Sequence, residues 1–540
     1  MAEGNNNGVS GTRNEEIDLE KVTDFTENKF STRSEDEGTE LEEAINLTGL
    51  GRFHAVLIFT SGLSLLSMVV EAAGISFMIP AAQCDLALTV TEKSYLSGMT
   101  YWGMVISAHT WGFSADTFGR KKVLVVSAYT TWVSSFISSF APNASIFIAF
   151  RFLTGVFLCG TTSTVYAYLS EFLPASKRSR IITWTCGFIA GGFLLIPGLA
   201  WLLLPVQLNW DLGFVLYGSW RLYIAIASSL ILFEGSIFLY LPESPKFLMS
   251  VGRKEAALEV LKNIYAQNSG NSPENYPVKS LRFEKIGSAD DTANETPHVS
   301  PRVSFTPRGL ADVIWRQTAP LFRKPYGWTT LLFCTLQFGI YCSSGGLYLW
   351  MPNILNMMTS DVGVGNSEPE TICEFVAYQV NITSYATLET TECSDEIRTG
   401  VYMSSLVLGA FYVVTYGAYG GLVSLFGKRK VLVSMLCLSG ISGIGSYFAR
   451  DEITVTVLMS AYIVLSGTCV SILGAAIVDA YPTHLRAMAV SLTLTCGRFG
   501  TGVAGNVIGI FIETYCGITL IGLGCVTLIC ALLAISVPDK

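Results

Sequence analysis

Charge is scarce in this chain: Asp, Glu, Lys and Arg make up 14% of 540 residues while half are hydrophobic, which excludes an ordinary soluble domain. Histidine is rarer still. The four present, His54, His109, His298 and His484, have no metal-site spacing, so no metal is expected. No GxxxxGK[ST] loop occurs, which removes the phosphate cradle of an ATP-driven pump. Nothing argues for an enzyme or a bound cofactor. The first fifty residues hold no apolar segment, so no cleaved signal peptide is expected there, and their acidity contributes to a net charge of −8 without implying a nucleic-acid partner.

What the sequence has instead is long apolar runs. A helix satisfies its own backbone polar groups in hydrocarbon, so runs of about eighteen residues or more read as membrane spans. About twelve can be drawn on that length criterion. The first six lie near Ala55–Ile79, Tyr95–Ser114, Val123–Phe140, Ser145–Ser170, Ile181–Leu203 and Trp220–Leu241. The second six lie near Trp328–Trp350, Gly400–Gly421, Val431–Tyr447, Ile453–Ala480, Ala487–Phe511 and Gly517–Val537. The expected organisation is a disordered tail over 1–51, a six-helix bundle over 52–252, a linker with an amphipathic helix over 253–325, and a second bundle over 326–540. The fold class is an all-α membrane protein of two bundles related by a pseudo-two-fold axis.

A repeat supports the division. GFSADTFGRKK, Gly112 to Lys122, is echoed by GGLVSLFGKRK, Gly420 to Lys430, and Ser424 stands in the second copy where Asp116 stands in the first. Gly119 and Gly427 mark the turns, followed by Arg120, Lys121 and Lys428. The short-loop cations Lys177, Arg178, Arg180, Arg429, Lys430 and Arg486 fall on the same side, which assigns that side and both termini to the cytoplasm. The opposite face carries one large loop, 353–399, with Cys373, Cys393 and the glycosylation sequon at Asn381. Two cysteines in an oxidising loop suggest a Cys373–Cys393 disulfide, with a pair of free thiols as the alternative.

These residues resemble the major facilitator superfamily, whose GxxxDxxGRK pattern is met by Gly112, Asp116, Gly119, Arg120 and Lys121. Arg151 and Gly155 in RFLTGVFLCG, the string SEFLPASKRS from Ser170 and PESPKFL from Pro242 are similar to its organic ion transporter and synaptic vesicle glycoprotein 2 branch. WGFSADTFGRKKVL, YLSEFLPASKR and AYPTHLRAMAVSL, with the long loop after the seventh span, are nearer the synaptic vesicle glycoprotein 2 group. The resemblance implies alternating access around a midplane site. Asp116 would then help to close one gate, against a simpler role as topogenic charge, and the gate bearing Ser424 would differ in strength.

Ionisable residues inside spans are costly and point to function. Glu71, Glu234 and Arg498 stand out. Glu71 reads as a proton or substrate ligand, or as half of a buried ion pair. Glu234 and His109 are further candidates for proton coupling, and Arg151 for the gating core. Arg498, flanked by glycines, offers paired donors to a carboxylate, sulfate or phosphate, or a salt bridge to an internal acid such as Glu71. The resemblance to organic anion transporters, which carry an Arg at the matching point, favours an anionic or zwitterionic solute. Trp184 and Tyr341 are the expected ligand contacts. The expected function is secondary transport of a small organic anion or zwitterion, with proton coupling. The alternatives are a non-transporting vesicle or surface protein that binds partners and an organic cation transporter using Glu71. The partners expected are the solute and membrane lipid, with a monomer sufficient, in the plasma membrane or a secretory or synaptic vesicle.

One consequence is directly measurable. Deglycosylation is expected to shift the gel mobility of the wild type but not of Asn381→Gln. The shift should survive Asn46→Gln and Asn294→Gln, whose sequons lie on the cytoplasmic side.

Overall fold

The computed structural model describes residues 38–206, 208–282, 315, 318–358, 371–374, 376–377, 395–512 and 514–538. Twelve spans form two bundles of six. The first span is broken: α2 (Arg52–Ala73) and α3 (Ile75–Ala82) meet at Gly74, where an added Cβ would crowd the Val70 carbonyl and the Tyr223 hydroxyl. It follows α1 (Leu41–Leu47), a short helix ahead of the membrane. The remaining spans of this half are α4 (Val90–Phe118), α5 (Arg120–Ser138), α6 (Ala144–Ser170), α7 (Ala175–Leu203) and α8 (Ser219–Tyr240). After α9 (Pro245–Ser250) and α10 (Lys254–Ser269), the second half comprises α11 (Gly327–Met358), α12 (Thr399–Phe426), α13 (Lys428–Tyr447), α14 (Glu452–Ala480), α15 (Thr483–Phe511) and α16 (Cys516–Ala534).

Eight of the spans are long and apolar enough to cross a membrane on composition alone. The other four, α4, α5, α11 and α15, are diluted by Ser, Thr and Gly, several of them buried against other helices, among them Ser97 and Gly103 of α4, Ser135 of α5, Gly346 of α11 and Gly500 of α15. Local chemistry fixes the starts of three spans. Thr89 and Glu92 form a reciprocal capping box before α4, and Asn143 and Asp451 cap α6 and α14 through Ile146 and Thr454.

Without a hydrophobic drive between helices in lipid, close approach depends on small residues. A Cβ at Gly155 of α6 would overlap the Thr100 backbone of α4, and one at Gly103 would overlap the Phe152 carbonyl. In the other bundle Gly346 of α11 abuts Ala504 of α15, and Gly500 lies against the Phe338 carbonyl.

The face carrying α9, α10 and the Arg and Lys clusters is called the inner face below. The bundles meet along their outer halves. There the largest apolar core runs continuously from Val69, Phe77 and Ile196 into Leu347, Tyr402 and Ile508. Phe77 stacks on Tyr402 at 5.9 Å, Ser97 faces Gly505, and the Cys84 amide donates to Asp395 across the halves at 2.8 Å. Toward the inner face the core divides into two clusters, one around Phe53, Leu124 and Tyr168 and one around Phe333, Leu432 and Tyr481. At the inner ends a Cβ on Gly112, Gly420 or Gly421 would meet nothing within 4 Å. This is the packing of an inward-facing state.

Among the described residues there are also a 3-10 turn (Pro273–Asn275) and four short strands: β1 (Thr39–Glu40), β2 (Asn209–Asp211), β3 (Leu216–Gly218) and β4 (Leu281–Arg282). β2 and β3 form an antiparallel ribbon, and β1 pairs in parallel with β4. The tail expected to be disordered to residue 51 is therefore folded from Gly38. Ala44 and Ile45 of α1 share a core with Leu248, Leu261, Tyr276 and Leu281 of the segment after the sixth span. Glu42 reaches the Ala175 amide and the Arg178 guanidinium at the start of α7, and Asn268 binds the Thr48 and Gly49 carbonyls and the Phe53 amide. Such pairing across more than a hundred residues has no local sequence signal.

The disulfide expectation is corrected. Cys373 bonds to Cys516 at the outer end of α16, with a Cα separation of 5.5 Å, and this ties the loop to its own bundle. Cys393 and the sequon at Asn381 lie outside the described residues. Non-reducing peptide mapping should therefore recover the Cys373 peptide joined to the Cys516 peptide. Cys516→Ser should release Cys373 to alkylation, and Cys393→Ser should not.

Candidate functional site

Glu71 lies three residues before the Gly74 break and belongs to a closed triad. Its Oε1 accepts from Ser135 Oγ of α5 at 2.6 Å and pairs with Arg151 Nη2 of α6, which also donates to Ser135 Oγ at 3.2 Å. Exposure is 1% for Glu71 and 0% for Arg151, so neither reaches the space between the bundles in this state. The ion-pair alternative is the one these side chains adopt. Arg498 takes no part in it.

Arg498 instead crosses from α15 to the other bundle. Its Nη2 donates to Thr162 Oγ1 at 2.8 Å and its Nη1 to Cys159 Sγ at 3.1 Å, both on α6. Both partners are uncharged side-chain types, and among the described residues no carboxylate forms an ion pair with it. Tyr101 of α4 and Tyr341 of α11 stand within electrostatic reach, and Tyr341 packs on Gly497. Aromatic rings from both halves surround this level: Phe193 stacks on Tyr412 at 4.4 Å and meets Tyr348 edge-on at 4.8 Å, while Trp102 meets Phe499 at 5.4 Å. The structure thus brings Arg498 and Tyr341 together.

Trp184 is placed elsewhere. On α7 the side that faces the other bundle carries Thr183, Cys186 and Phe193, which engage Tyr419, Tyr341 and Tyr412. Trp184 is two residues before Cys186, about 200° round the helix, and is 73% exposed on the outside of the bundle. The expectation that it contacts ligand is corrected for that reason. Glu234 of α8 is buried and accepts from Ser67 of α2, with no cation paired to it among the described residues. His109 is half-buried on α4.

The repeated loops have unequal surroundings. Gly119 adopts φ 107°, and a Cβ there would run into Glu243. Glu243 Oε1 accepts from the Lys121 amide at 2.9 Å and the Ser244 amide at 3.0 Å. Arg120 pairs with Asp116 at 2.9 Å and Glu171 at 3.3 Å and lies over the Phe247 ring at 5.2 Å. Glu171, just past α6, also accepts from Ser244; burial pushes its carboxyl above the usual range, with Arg120 opposing. In the second copy Gly427 has φ 85°, Lys428 pairs with Asp479 near the end of α14, and Ser424 bonds to its own helix at Gly421. Glu171 and Asp479, at the ends of corresponding spans, were not singled out from sequence. Their acidity beside the basic loops was the available signal.

A family model described as sugar (and other) transporter matches residues 22–293. The chain belongs to this transporter family. It is 28% identical over 331 residues to synaptic vesicle glycoprotein 2C of Mus musculus, covering 59% of this chain and 45% of that protein. It is also 28% identical over 321 residues to synaptic vesicle glycoprotein 2A of Rattus norvegicus, covering 58% and 43%. The chain thus matches less than half the length of these curated relatives. Among solved structures, the partially occluded inward-open xylose transporter XylE of E. coli aligns at a TM-score of 0.61 and 14% identity, covering 90% of this chain and all of that one. A D-xylose–proton symporter structure aligns at 0.60 and 13%, covering 90% and 99%. These likenesses establish the major facilitator fold, a multi-pass membrane protein, and a place among transporters rather than enzymes.

The buried triad can be tested by stability. Removing one member of a buried ion pair strands the other charge, at about 3–5 kcal/mol. Arg151→Ala should lower the unfolding temperature of the purified protein strongly. Combining it with Glu71→Gln should cost clearly less than the two separate losses added together.

Proposed function

We propose that the protein is a secondary active transporter of a small organic anion or zwitterion, working by alternating access and coupled to protons. One observation carries the solute class: Arg498, mid-span and reaching between the bundles, is met only by a hydroxyl, a thiol and aromatic rings among the described residues. A guanidinium so placed lacks a counter-charge, and an anionic ligand would supply one while touching both halves. Displacing the Thr162 and Cys159 contacts on binding would change how the halves are held together.

Coupling is assigned to Glu71. Protonation of a carboxylate bonded to Arg151 and Ser135 weakens a pair that joins the first, third and fourth spans beside the Gly74 break. Proton binding and movement of the outer part of the first span are thereby linked. Glu234, which accepts from Ser67 and has no cation paired to it among the described residues, is a second proton acceptor in this reading. The enclosure of Glu71 by Arg151 disfavours its use as a site for an organic cation.

A second reading, a membrane protein that binds partners without transport, is favoured by the likeness to synaptic vesicle glycoproteins. Uptake into proteoliposomes separates the two readings. With a pH step, the wild type is expected to accumulate at least one labelled organic anion from a panel that includes neutral xylose. Loss of a paired charged contact costs about 2 kcal/mol or more, roughly thirtyfold in affinity. Arg498→Ala and Arg498→Lys should therefore cut uptake at sub-saturating solute by about that factor or more, and Glu71→Gln should remove its dependence on the pH step. Anion uptake retained by Arg498→Ala would overturn the solute assignment, and a folded wild type that moves no member of the panel would favour the partner-binding reading.

A further inference from the structure

A cavity of about 250 Å³ that none of the above uses lies at the inner face, where residues of α10 meet the inner ends of α2, α5 and α8. Its floor is apolar and buried: Phe53 is the second residue of α2, Leu241 follows α8, and Ile264 comes from α10. Its rim is polar. Lys121 of α5, Tyr240 at the last position of α8, and Asn263 and Gln267 of α10 stand there, the last three of them exposed. Among the described residues none of these four side chains is in a hydrogen bond or an ion pair, and no carboxylate lines the cavity. Glu243, two residues beyond Leu241, is engaged with the Lys121 and Ser244 amides instead.

The cavity sits at the depth where spans leave the bilayer, and one helix leads into it from the hydrocarbon. Phe233 and Tyr240 of α8 are seven residues apart, hence on one face, and are 56% and 89% exposed. A tyrosine so placed is typical of the membrane interface.

We propose that the cavity binds one phosphatidylinositol molecule from the leaflet at the inner face. The Lys121 ammonium would meet the single charge of the phosphodiester. Asn263 and Gln267 both donate and accept, as does the Tyr240 hydroxyl, which suits the hydroxyls of the inositol ring. The glycerol end would cover Leu241 and Ile264, and an acyl chain would follow the Phe233 face of α8. A free phosphate could use Lys121 but would leave the apolar floor and that face uncovered, so the lipid is the favoured source. The loop charges assign this side to the cytoplasm, whose leaflet carries the anionic serine and inositol lipids. Of these two, a serine headgroup brings an ammonium and no hydroxyl to a rim built from amides and a phenol. Bound there, the lipid would fasten α10 to α5 and α8. It would touch the first bundle alone, so the assignment stands apart from the identity of the solute.

The test titrates the full chain in neutral detergent with phosphatidylinositol, phosphatidylserine, phosphatidylcholine and water-soluble glycerophosphoinositol. Native mass spectrometry counts the molecules bound, and the unfolding temperature is followed in parallel. The wild type should bind one phosphatidylinositol per chain, about fivefold more tightly than phosphatidylcholine, the weight of one cation near a membrane surface. It should also prefer it to phosphatidylserine, and the unfolding temperature should rise on binding. Lys121→Ala should lower phosphatidylinositol to the level of phosphatidylcholine, and Lys121→Arg should keep the preference. Asn263→Leu combined with Gln267→Leu, at exposed positions, should remove the advantage over phosphatidylserine; if Lys121→Ala fails to fold, this double variant decides alone. Equal binding of phosphatidylinositol and either other lipid by the wild type overturns the proposal. So does a preference that survives these substitutions in folded protein. A shift with glycerophosphoinositol as large as that with the lipid overturns the lipid source.

Discussion

Close helix approach through residues without bulk is the constraint on which the rest of this structure depends. Lipid gives two helices no hydrophobic reason to associate, so contact must come from backbone surfaces meeting directly. Gly155 against Thr100, Gly103 against Phe152 and Gly346 against Ala504 are such contacts within bundles. Gly98, Gly505 and Gly409 are such contacts between them. The glycines between bundles lie in the outer and middle parts of the seam, while Gly112, Gly420 and Gly421 at the inner ends have no neighbour. One kind of contact thus serves two purposes. It builds permanent seams inside each half and separable ones across the middle.

Charges inside the membrane sort by the same division. Arg151 and Glu71 neutralise each other within one bundle and are sealed, so they act as part of that bundle's interior. Arg498 is shared between bundles and, among the described residues, is paired with no acid. The inner-face network of Arg120, Asp116, Glu171 and Glu243 is denser than its counterpart around Lys428 and Asp479. The two repeats therefore contribute unequal electrostatics to a shape that is nearly symmetric.

Much of this was legible in the chain because it is written locally. Apolar length gives the spans, and the paired Gly-containing loops give the two halves and their turns, down to the positive φ at Gly119 and Gly427. Arg498 and Glu71 could be picked out because charge in an apolar run is conspicuous. Their partners could not. Whether Glu71 meets Arg151, Arg498 or a ligand depends on which faces of three helices converge, and span boundaries do not encode that. Cys373 looked paired to the cysteine nearest in sequence, yet the loop folds back to Cys516, 143 residues away. Trp184 was plausible as an aromatic in the fifth span, but its helical phase turns it outward. The folded tail was hidden because its core is assembled from segments that are each short and unremarkable alone.

That folded tail makes the molecule lopsided. With Glu42 fastened to the start of α7 and Asn268 to the entry of α2, a small cap on the inner face is riveted to one half, and nothing comparable is described on the other. As the halves tilt, the cap keeps its relation to the first bundle. A ligand seated on it would travel as passive cargo. A ligand touching both the cap and the free inner ends of the other half would be pulled or released with every turn of the cycle.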